Sequence, residues 1–137
     1  MGIRDVARVR GLAAEGDVEG LIVVLCDHSR SGPERRVAAA ALGDQRDRRA
    51  IEPLVSVLDD MKVCPTAVRA LAAIGDPIAA APLAELFSST GDRGVRKEAE
   101  RALYRLNAKD PRGVRGVLEG YERAKKQRGG KPKRAGR

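Results

Sequence analysis

The side chains in this chain that could ligate a metal or act as a nucleophile are few and far apart. Its one histidine, His28, is followed by a serine, and its two cysteines, Cys26 and Cys64, lie beside apolar stretches. A single imidazole cannot hold a two-metal centre, and the spacing supplies no histidine partner for a serine or cysteine. We therefore expect both cysteines to be small buried side chains. We expect no catalytic residue, no metal and no cofactor.

Three aspartates recur along the chain and could be imagined as an acidic catalytic cluster. Asp47, Asp76 and Asp110 each stand just before an apolar stripe, where the free N–H groups of a new helix need an acceptor. This position favours helix capping over catalysis. The glycines likewise punctuate helices, and no glycine-rich phosphate loop follows a strand.

Residues 63–87 contain one complete pair of helices with the turn that joins them. The first apolar stripe has offsets of 0, 4, 7, 8 and 11 and consists of Val63, Ala67, Ala70, Leu71 and Ile74. The second has offsets of 0, 3, 4, 7 and 8 and consists of Ala79, Pro82, Leu83, Leu86 and Phe87. Between them, Gly75 can end a helix in the left-handed conformation, Asp76 can cap the next helix and Pro77 suits its first turn. Two helical stripes around one turn predict an antiparallel helix pair.

The same unit recurs along the chain. The dipeptides Ala41-Leu42, Ala70-Leu71 and Ala102-Leu103 are 29 and 32 residues apart, and each has an alanine three residues before its own alanine. One pair buries too little apolar surface to fold alone, so neighbouring pairs must stack. The sequence therefore predicts an all-α fold, an α-α superhelix of about four antiparallel helix pairs. The pairs are predicted at 3–27, 33–60, 62–88 and 94–122, which places the repeat domain at 1–122.

The segments VRALAAIGDPIAAAPLAELF and DQRDRRAIEPLVSVL resemble HEAT-like repeats of the phycobilisome-lyase type, and the resemblance covers residues from about 17 to 122. It implies an armadillo-like helical solenoid whose second helices line the concave side, with Pro53 and Pro82 at matching places inside those helices. Two catalytic relatives do not fit. Deoxyhypusine hydroxylases need repeated His-Glu pairs, and HEAT-like DNA glycosylases need tryptophan, which this chain lacks. Bilin lyases of this repeat type have no short motif to compare.

The resemblance implies a non-catalytic protein–protein interaction scaffold or adaptor with a protein partner that the sequence does not identify. Two alternatives are an accessory subunit of a lyase or other modifying enzyme, and a weak, non-specific nucleic-acid binder. For the scaffold, helical geometry predicts a shallow surface on the second helices that would receive a partner helix or peptide. Its predicted residues are Val23, Ile51, Glu52, Val55, Ala80, Ala84 and Glu85. Alternatively, the apolar members pack against the adjacent repeat.

The formal net charge of +8 comes entirely from the end of the chain. Residues 1–122 carry 19 basic and 19 acidic side chains, whereas residues 123–137 carry eight bases and no acid. With two adjacent glycines, a proline and no apolar stripe, residues 123–137 are predicted to be a disordered tail. The tail could contact nucleic acid or an acidic protein weakly. Its bases are Arg123, Lys125, Lys126, Arg128, Lys131, Lys133, Arg134 and Arg137.

The cysteine content and the hydropathy pattern bear on the compartment. Two thiols, no recognisable signal peptide and no apolar run of membrane-spanning length predict a cytoplasmic protein with no membrane partner. The first and last helix pairs of a solenoid expose one apolar side unless they are capped. Self-association through either end is therefore a further expectation.

Overall fold

The computed structural model describes residues 3–129, and within that range all regular secondary structure is helical. The eight α-helices are α1 Ile3–Glu15, α2 Val18–Cys26, α3 Gly32–Gln45, α4 Ile51–Ser56, α5 Cys64–Ile74, α6 Ala80–Ser89, α7 Arg93–Lys109 and α8 Pro111–Gly129. Two short 3₁₀ turns, Arg48–Ala50 and Pro77–Ala79, lead directly into α4 and α6. The predicted all-α solenoid of helix pairs is confirmed.

The helices form two layers. The odd-numbered helices pack in chain order, with α3 between α1 and α5 and α5 between α3 and α7. The even-numbered helices lie against them as a second layer, in which α2 contacts α4 and α6 contacts α8. We call these the first-helix and second-helix layers. The repeated leucines of the sequence pattern, Leu42, Leu71 and Leu103, are fully buried between them.

Polar side chains cap the N-termini of most of the helices and 3₁₀ turns. The three aspartates predicted to cap do so: the carboxylates of Asp47, Asp76 and Asp110 accept from the backbone N–H groups of Arg49, Ile78 and Gly113, each at 2.9 Å. In α3, Ser31 and Glu34 form a reciprocal capping box. The capping interpretation of these aspartates is thus confirmed.

The prolines explain why α4 and α6 begin late. Pro53 and Pro82 are each the third residue of their helix, where a missing N–H leaves no intrahelical bond unmade. An α-helix that started earlier would set the proline ring against the carbonyl four residues before it. The residues before each helix therefore wind as a 3₁₀ turn instead.

Small residues let the first-helix layer pack closely. A Cβ at Gly43 of α3 would lie 2.8 Å from the Cα of Ala70 in α5, so glycine is required at this crossing. Gly75 ends α5 at a φ of 77°, in the left-handed conformation that the sequence predicted for it. Gly16 takes the same conformation after α1 at a φ of 70°, whereas Arg46 takes the equivalent position after α3 at a φ of 53°.

Two predictions need correction. The proposed boundary at residue 122 does not coincide with a helix end, because α8 continues through residues 123–129. Tyr121 anchors this extension: its ring is buried, and its hydroxyl donates to the Glu100 carboxylate of α7 at 2.6 Å. Residues 130–137 of the predicted tail lie outside the described residues. The expectation that both cysteines are buried was half wrong, since Cys64 is buried but Cys26, the last residue of α2, is exposed.

Candidate functional site: a groove in the second-helix layer

The second-helix layer opens between α4 and α6. These two helices contact each other far less than α6 contacts α8. The cause is local, because α4 has only six residues and both helices begin late, after a 3₁₀ turn. Two cavities of about 580 and 430 Å³ follow one another along this opening. We call the opening the α4–α6 groove.

The first cavity lies where the two helices begin. Its lining residues are Arg48, Arg49, Ile51, Glu52, Pro53 and Ile78. The Ile78 side chain is 63% exposed, which makes it the main apolar surface offered to solvent here. Both arginines are held by ion pairs, Arg48 to Asp76 at 2.6 Å and Arg49 to Asp47 at 2.8 Å.

The ion pair between Asp47 and Arg49 changes the pKa of the aspartate. Hydrogen bonds from the Arg49 side chain, and then from its backbone N–H, lower the pKa of the Asp47 carboxyl to about 2. Arg49 also reaches Glu19 of α2 at 3.3 Å. The arginines at this end of the groove are thus largely neutralised, whereas Glu52 is exposed and has no basic partner among the ion pairs of the described residues.

The second cavity lies where α4 and α6 end. Its lining residues are Val55, Ser56, Leu58, Asp59, Pro82, Glu85, Leu86 and Ser89. Leu58 is buried and forms part of the floor, while Val55, Pro82 and Leu86 are half-buried. Asp59 and Glu85 are exposed and form no ion pair within residues 3–129. The groove is therefore an apolar channel with carboxylates at its edges.

Five of the seven residues predicted for the partner surface are at least partly exposed, and two are buried. Glu52 and Glu85 are exposed, Val23 is 65% exposed, and Val55 and Ala84 are half-buried. Ile51 and Ala80, however, are 7% and 0% exposed and belong to the core.

The two errors have a simple cause in helix geometry. Ile51 lies three residues before Leu54, and Ala80 lies three residues before Leu83. Residues three apart share one face of a helix, so both residues face the core together with these buried leucines. For these two residues, packing against the adjacent elements was the correct alternative.

Most of the groove residues were absent from the predicted surface, among them Arg48, Arg49 and Ile78 of the first cavity. The two arginines follow the capping residue Asp47, and Ile78 follows Pro77. Their signal was present in the sequence, because residues just after a cap lie at the exposed start of a helix.

The basic side chains predicted as a tail site divide into four groups. Arg123 and Lys126 are exposed on α8, beside a cavity of about 400 Å³ that also contacts Leu118. Lys125 is engaged with the Glu100 carboxylate and lies 5.9 Å from the centre of the Tyr121 ring. The Arg128 backbone is in α8. Lys131, Lys133, Arg134 and Arg137 lie outside the described residues.

The imidazole of His28 lies on an exposed loop. Its Nδ1 is 3.1 Å from the Cys26 carbonyl oxygen, and its Nε2 is 4.0 Å from the Asp60 carboxylate. Among residues 3–129, no three histidine, cysteine or acidic side chains come together as metal ligands could. In the same range, every helix is too short or too polar to cross a bilayer.

Comparisons with known proteins agree with this geometry. No curated protein matches the chain at a significant level. The family model for HEAT repeats matches residues 18–104, which cover α2 to α6 and most of α7. This match does not distinguish the phycobilisome-lyase type from other HEAT repeats. Because it spans well over half of the 137 residues, the chain belongs to the HEAT repeat family.

Proposed function

We propose that this protein is a non-catalytic interaction scaffold and that its docking surface is the α4–α6 groove. The observation that carries the proposal is the opening itself, which exposes apolar side chains between α4 and α6, whereas α6 packs against α8 on its other side. Apolar channels bordered by charged groups are typical docking surfaces for helical or extended segments of other proteins. HEAT repeats commonly serve as interaction scaffolds, which supports the same reading.

The chemistry of the groove defines the partner. Its floor, formed by Ile78, Pro82 and Leu86, can receive two or three aliphatic or aromatic side chains. The unpaired carboxylates at its edges, Glu52, Asp59 and Glu85, would attract lysine or arginine next to those side chains. We therefore infer a partner segment that is amphipathic and basic.

The framework around the groove favours binding without large rearrangement. Leu54 and Leu83, which anchor α4 and α6 to the core, are fully buried. The Asp47 and Asp76 caps fix the 3₁₀ turn that leads into each helix. A preformed groove loses little conformational entropy when a partner binds.

A peptide selection tests the proposal. A display library of random 16-residue peptides is selected on the full-length protein, and the enriched peptides are measured by fluorescence anisotropy. We expect enrichment of apolar residues at helical spacing together with lysine or arginine. The groove variant Ile78→Ser/Glu85→Gln should weaken binding of these peptides at least about tenfold, the effect expected of one apolar anchor and one charge pair.

Met61→Ser provides a matched control. Met61 is 57% exposed on the loop before α5 and does not line either groove cavity. This variant should bind the selected peptides as the unmodified protein does. Failure to enrich any peptide, or equal binding by the groove variant, would refute the proposal.

Two finer predictions remain part of this proposal. The free thiols of Cys26 and Cys64 fit a reducing compartment such as the cytoplasm. An accessory role beside a lyase or another modifying enzyme stays a prediction, since no feature of the groove favours one enzyme class.

A further inference from the structure

The positive charge of this protein is concentrated in its last helix pair and the residues after it. Residues 93–137 contain 16 basic and five acidic side chains, whereas residues 1–92 contain 11 basic and 14 acidic ones. The two parts therefore carry formal charges of +11 and −3. Seven units of the positive charge lie within residues 93–129, ahead of the last four bases of the chain.

A row of basic side chains runs along α7. Arg93, Lys97, Arg101, Arg105 and Lys109 recur at intervals of four residues, and all five are exposed. Residues four apart on a helix are neighbours on its surface, about 6 Å apart along the axis. The five cations, which we call the α7 ridge, therefore form a slanting row about 24 Å long.

Most of the α7 ridge is electrostatically unsatisfied. Glu98 is its acidic neighbour, and this carboxylate pairs with Arg101 at 3.6 Å and with Arg69 of α5 at 3.2 Å. For the other four ridge cations, the ion pairs among residues 3–129 include no carboxylate partner. Such a row of like charges costs free energy in the isolated protein, and a polyanion would relieve it.

A cleft extends the ridge toward α5. It has a volume of about 230 Å³, and its basic lining residues are Arg69, Arg101 and Arg105. Arginine binds phosphate oxygens through two parallel N–H bonds, so a cleft with three guanidinium groups suits a phosphate group. Glu98 lies in the same cleft and holds two of these guanidinium groups in place.

The shape of the ridge selects among polyanions. A membrane surface would require apolar side chains beside the cations, but the apolar side of α7, including Val95, Leu103 and Leu106, is buried in the core. An acidic protein would present carboxylates at irregular spacing. A nucleic-acid strand presents phosphates at regular intervals along its backbone, which suits the evenly spaced cations of the slanting α7 ridge.

We propose that the α7 ridge, together with Arg69, is a binding surface for the phosphate backbone of a nucleic acid. It lies in the first-helix layer, so it is separate from the α4–α6 groove, and the two surfaces could be occupied at once. No base-reading element accompanies the ridge, so binding should depend on salt and little on sequence.

Fluorescence anisotropy with a labelled 20-nucleotide single-stranded RNA and a 20-base-pair DNA duplex tests this proposal, using the full-length protein between 50 and 200 mM salt. We expect binding whose logarithm falls linearly with the logarithm of salt concentration. In Lys97→Gln/Arg105→Gln, two phosphate contacts are lost. Affinity for the duplex at 0.1 M salt should then fall by as much as about 60-fold, and the salt slope should decrease by about 1.8.

Two variants with the same change in net charge serve as controls. Arg8→Gln/Arg10→Gln removes two exposed charges from α1, and Lys131→Gln/Lys133→Gln removes two from the end of the chain. Both should keep most of the affinity. All three variants should melt within about 2 °C of the unmodified protein, because the substituted helical side chains are exposed.

Several outcomes would overturn the proposal. These are no anisotropy change at 50 mM salt, equal losses in all three variants, or a loss confined to the Lys131/Lys133 variant. Tighter binding to polyglutamate or to vesicles containing phosphatidylserine than to either nucleic acid would also overturn it. None of these results depends on the peptide selection, so the two proposals can fail separately.

Discussion

The guanidinium of Arg35 in α3 donates to the carboxylate of Asp60 at 2.8 Å, and the arginine side chain is only 2% exposed. Its Nε also donates to the carbonyl oxygen of Leu25, near the end of α2, at 2.9 Å. Asp60 in turn accepts from the backbone N–H of Lys62, ahead of α5. One buried side chain therefore joins the first three helix pairs, and this explains why a charged group is tolerated in the core.

Replacing Arg35 should destabilise the protein strongly. Arg35→Met leaves the Leu25 carbonyl without its donor and Asp60 without its cation, and we expect a loss of about 2–3 kcal/mol in the free energy of unfolding. Urea denaturation measures this loss. The neighbouring Arg36, which is exposed and donates to the Lys62 carbonyl, provides the control, since Arg36→Met should cost less than about 1 kcal/mol. Equal losses would contradict the role given to Arg35.

The ion pair between Arg35 and Asp60 should make the free energy of unfolding depend on pH in the acid range. The hydrogen bond from Arg35, followed by that from the Lys62 N–H, lowers the pKa of Asp60 below its ordinary value. A carboxyl with a lowered pKa in the folded state contributes stability above its unfolded pKa, near 4, and loses it as pH falls through the folded value. The stability difference between the unmodified protein and Asp60→Asn should thus shrink as pH falls below about 4. A constant difference down to about pH 2 would contradict this.

Tyr121 should be the residue that fastens α8 to the solenoid. Its ring meets the edge of Phe87 at a centroid distance of 4.7 Å, and its burial raises the pKa of its hydroxyl above the usual range. Tyr121→Ala should cost about 3–5 kcal/mol, and Tyr121→Phe, which loses only the bond to Glu100, about 1–2 kcal/mol. Thermal unfolding followed by circular dichroism measures both. Tyr104→Phe, at a residue that is 40% exposed, should be nearly neutral.

Ile51 and Val23 should respond oppositely to the same kind of change, although both were predicted to lie on the partner surface. Ile51→Ser removes a buried side chain at the start of α4 and should cost about 3 kcal/mol or more. Val23→Ser alters a side chain that is 65% exposed and should change stability by less than about 0.5 kcal/mol. Melting temperatures of the two variants decide the matter. A stable Ile51→Ser variant would contradict the assignment of Ile51 to the core.

The two thiols should react at very different rates. Burial raises the pKa of the Cys64 thiol to about 11, so it is both inaccessible and protonated at neutral pH. Cys26 is exposed at the end of α2. N-ethylmaleimide should therefore add one group to the native protein and two in denaturant, as read by intact mass. Cys26→Ser should take up none in the native state, and a native adduct in this variant would show that Cys64 is accessible.

The sequence by itself determined the helix pairs, their caps and their core leucines. Apolar periodicity and capping depend on residues within about four positions of each other, so Leu71, Gly75 and Asp76 could be assigned without knowledge of their neighbours. The 29-residue and 32-residue spacings of the Ala-Leu dipeptides agree with the observed helix pairs. They could be recognised for the same reason, because each dipeptide belongs to a local apolar pattern.

Only the tertiary structure decided which exposed features form a surface. The α4–α6 groove exists because α4 has only six residues and both helices begin after a 3₁₀ turn, which shortens one side of the second-helix layer and leaves Ile78 exposed. Arg35 could not be assigned to the interior from its type, because its partners Leu25 and Asp60 lie ten and 25 residues away. Whether a residue of a solenoid is exposed depends on the adjacent repeats. The contacts between repeats cannot be read from the sequence of a single repeat.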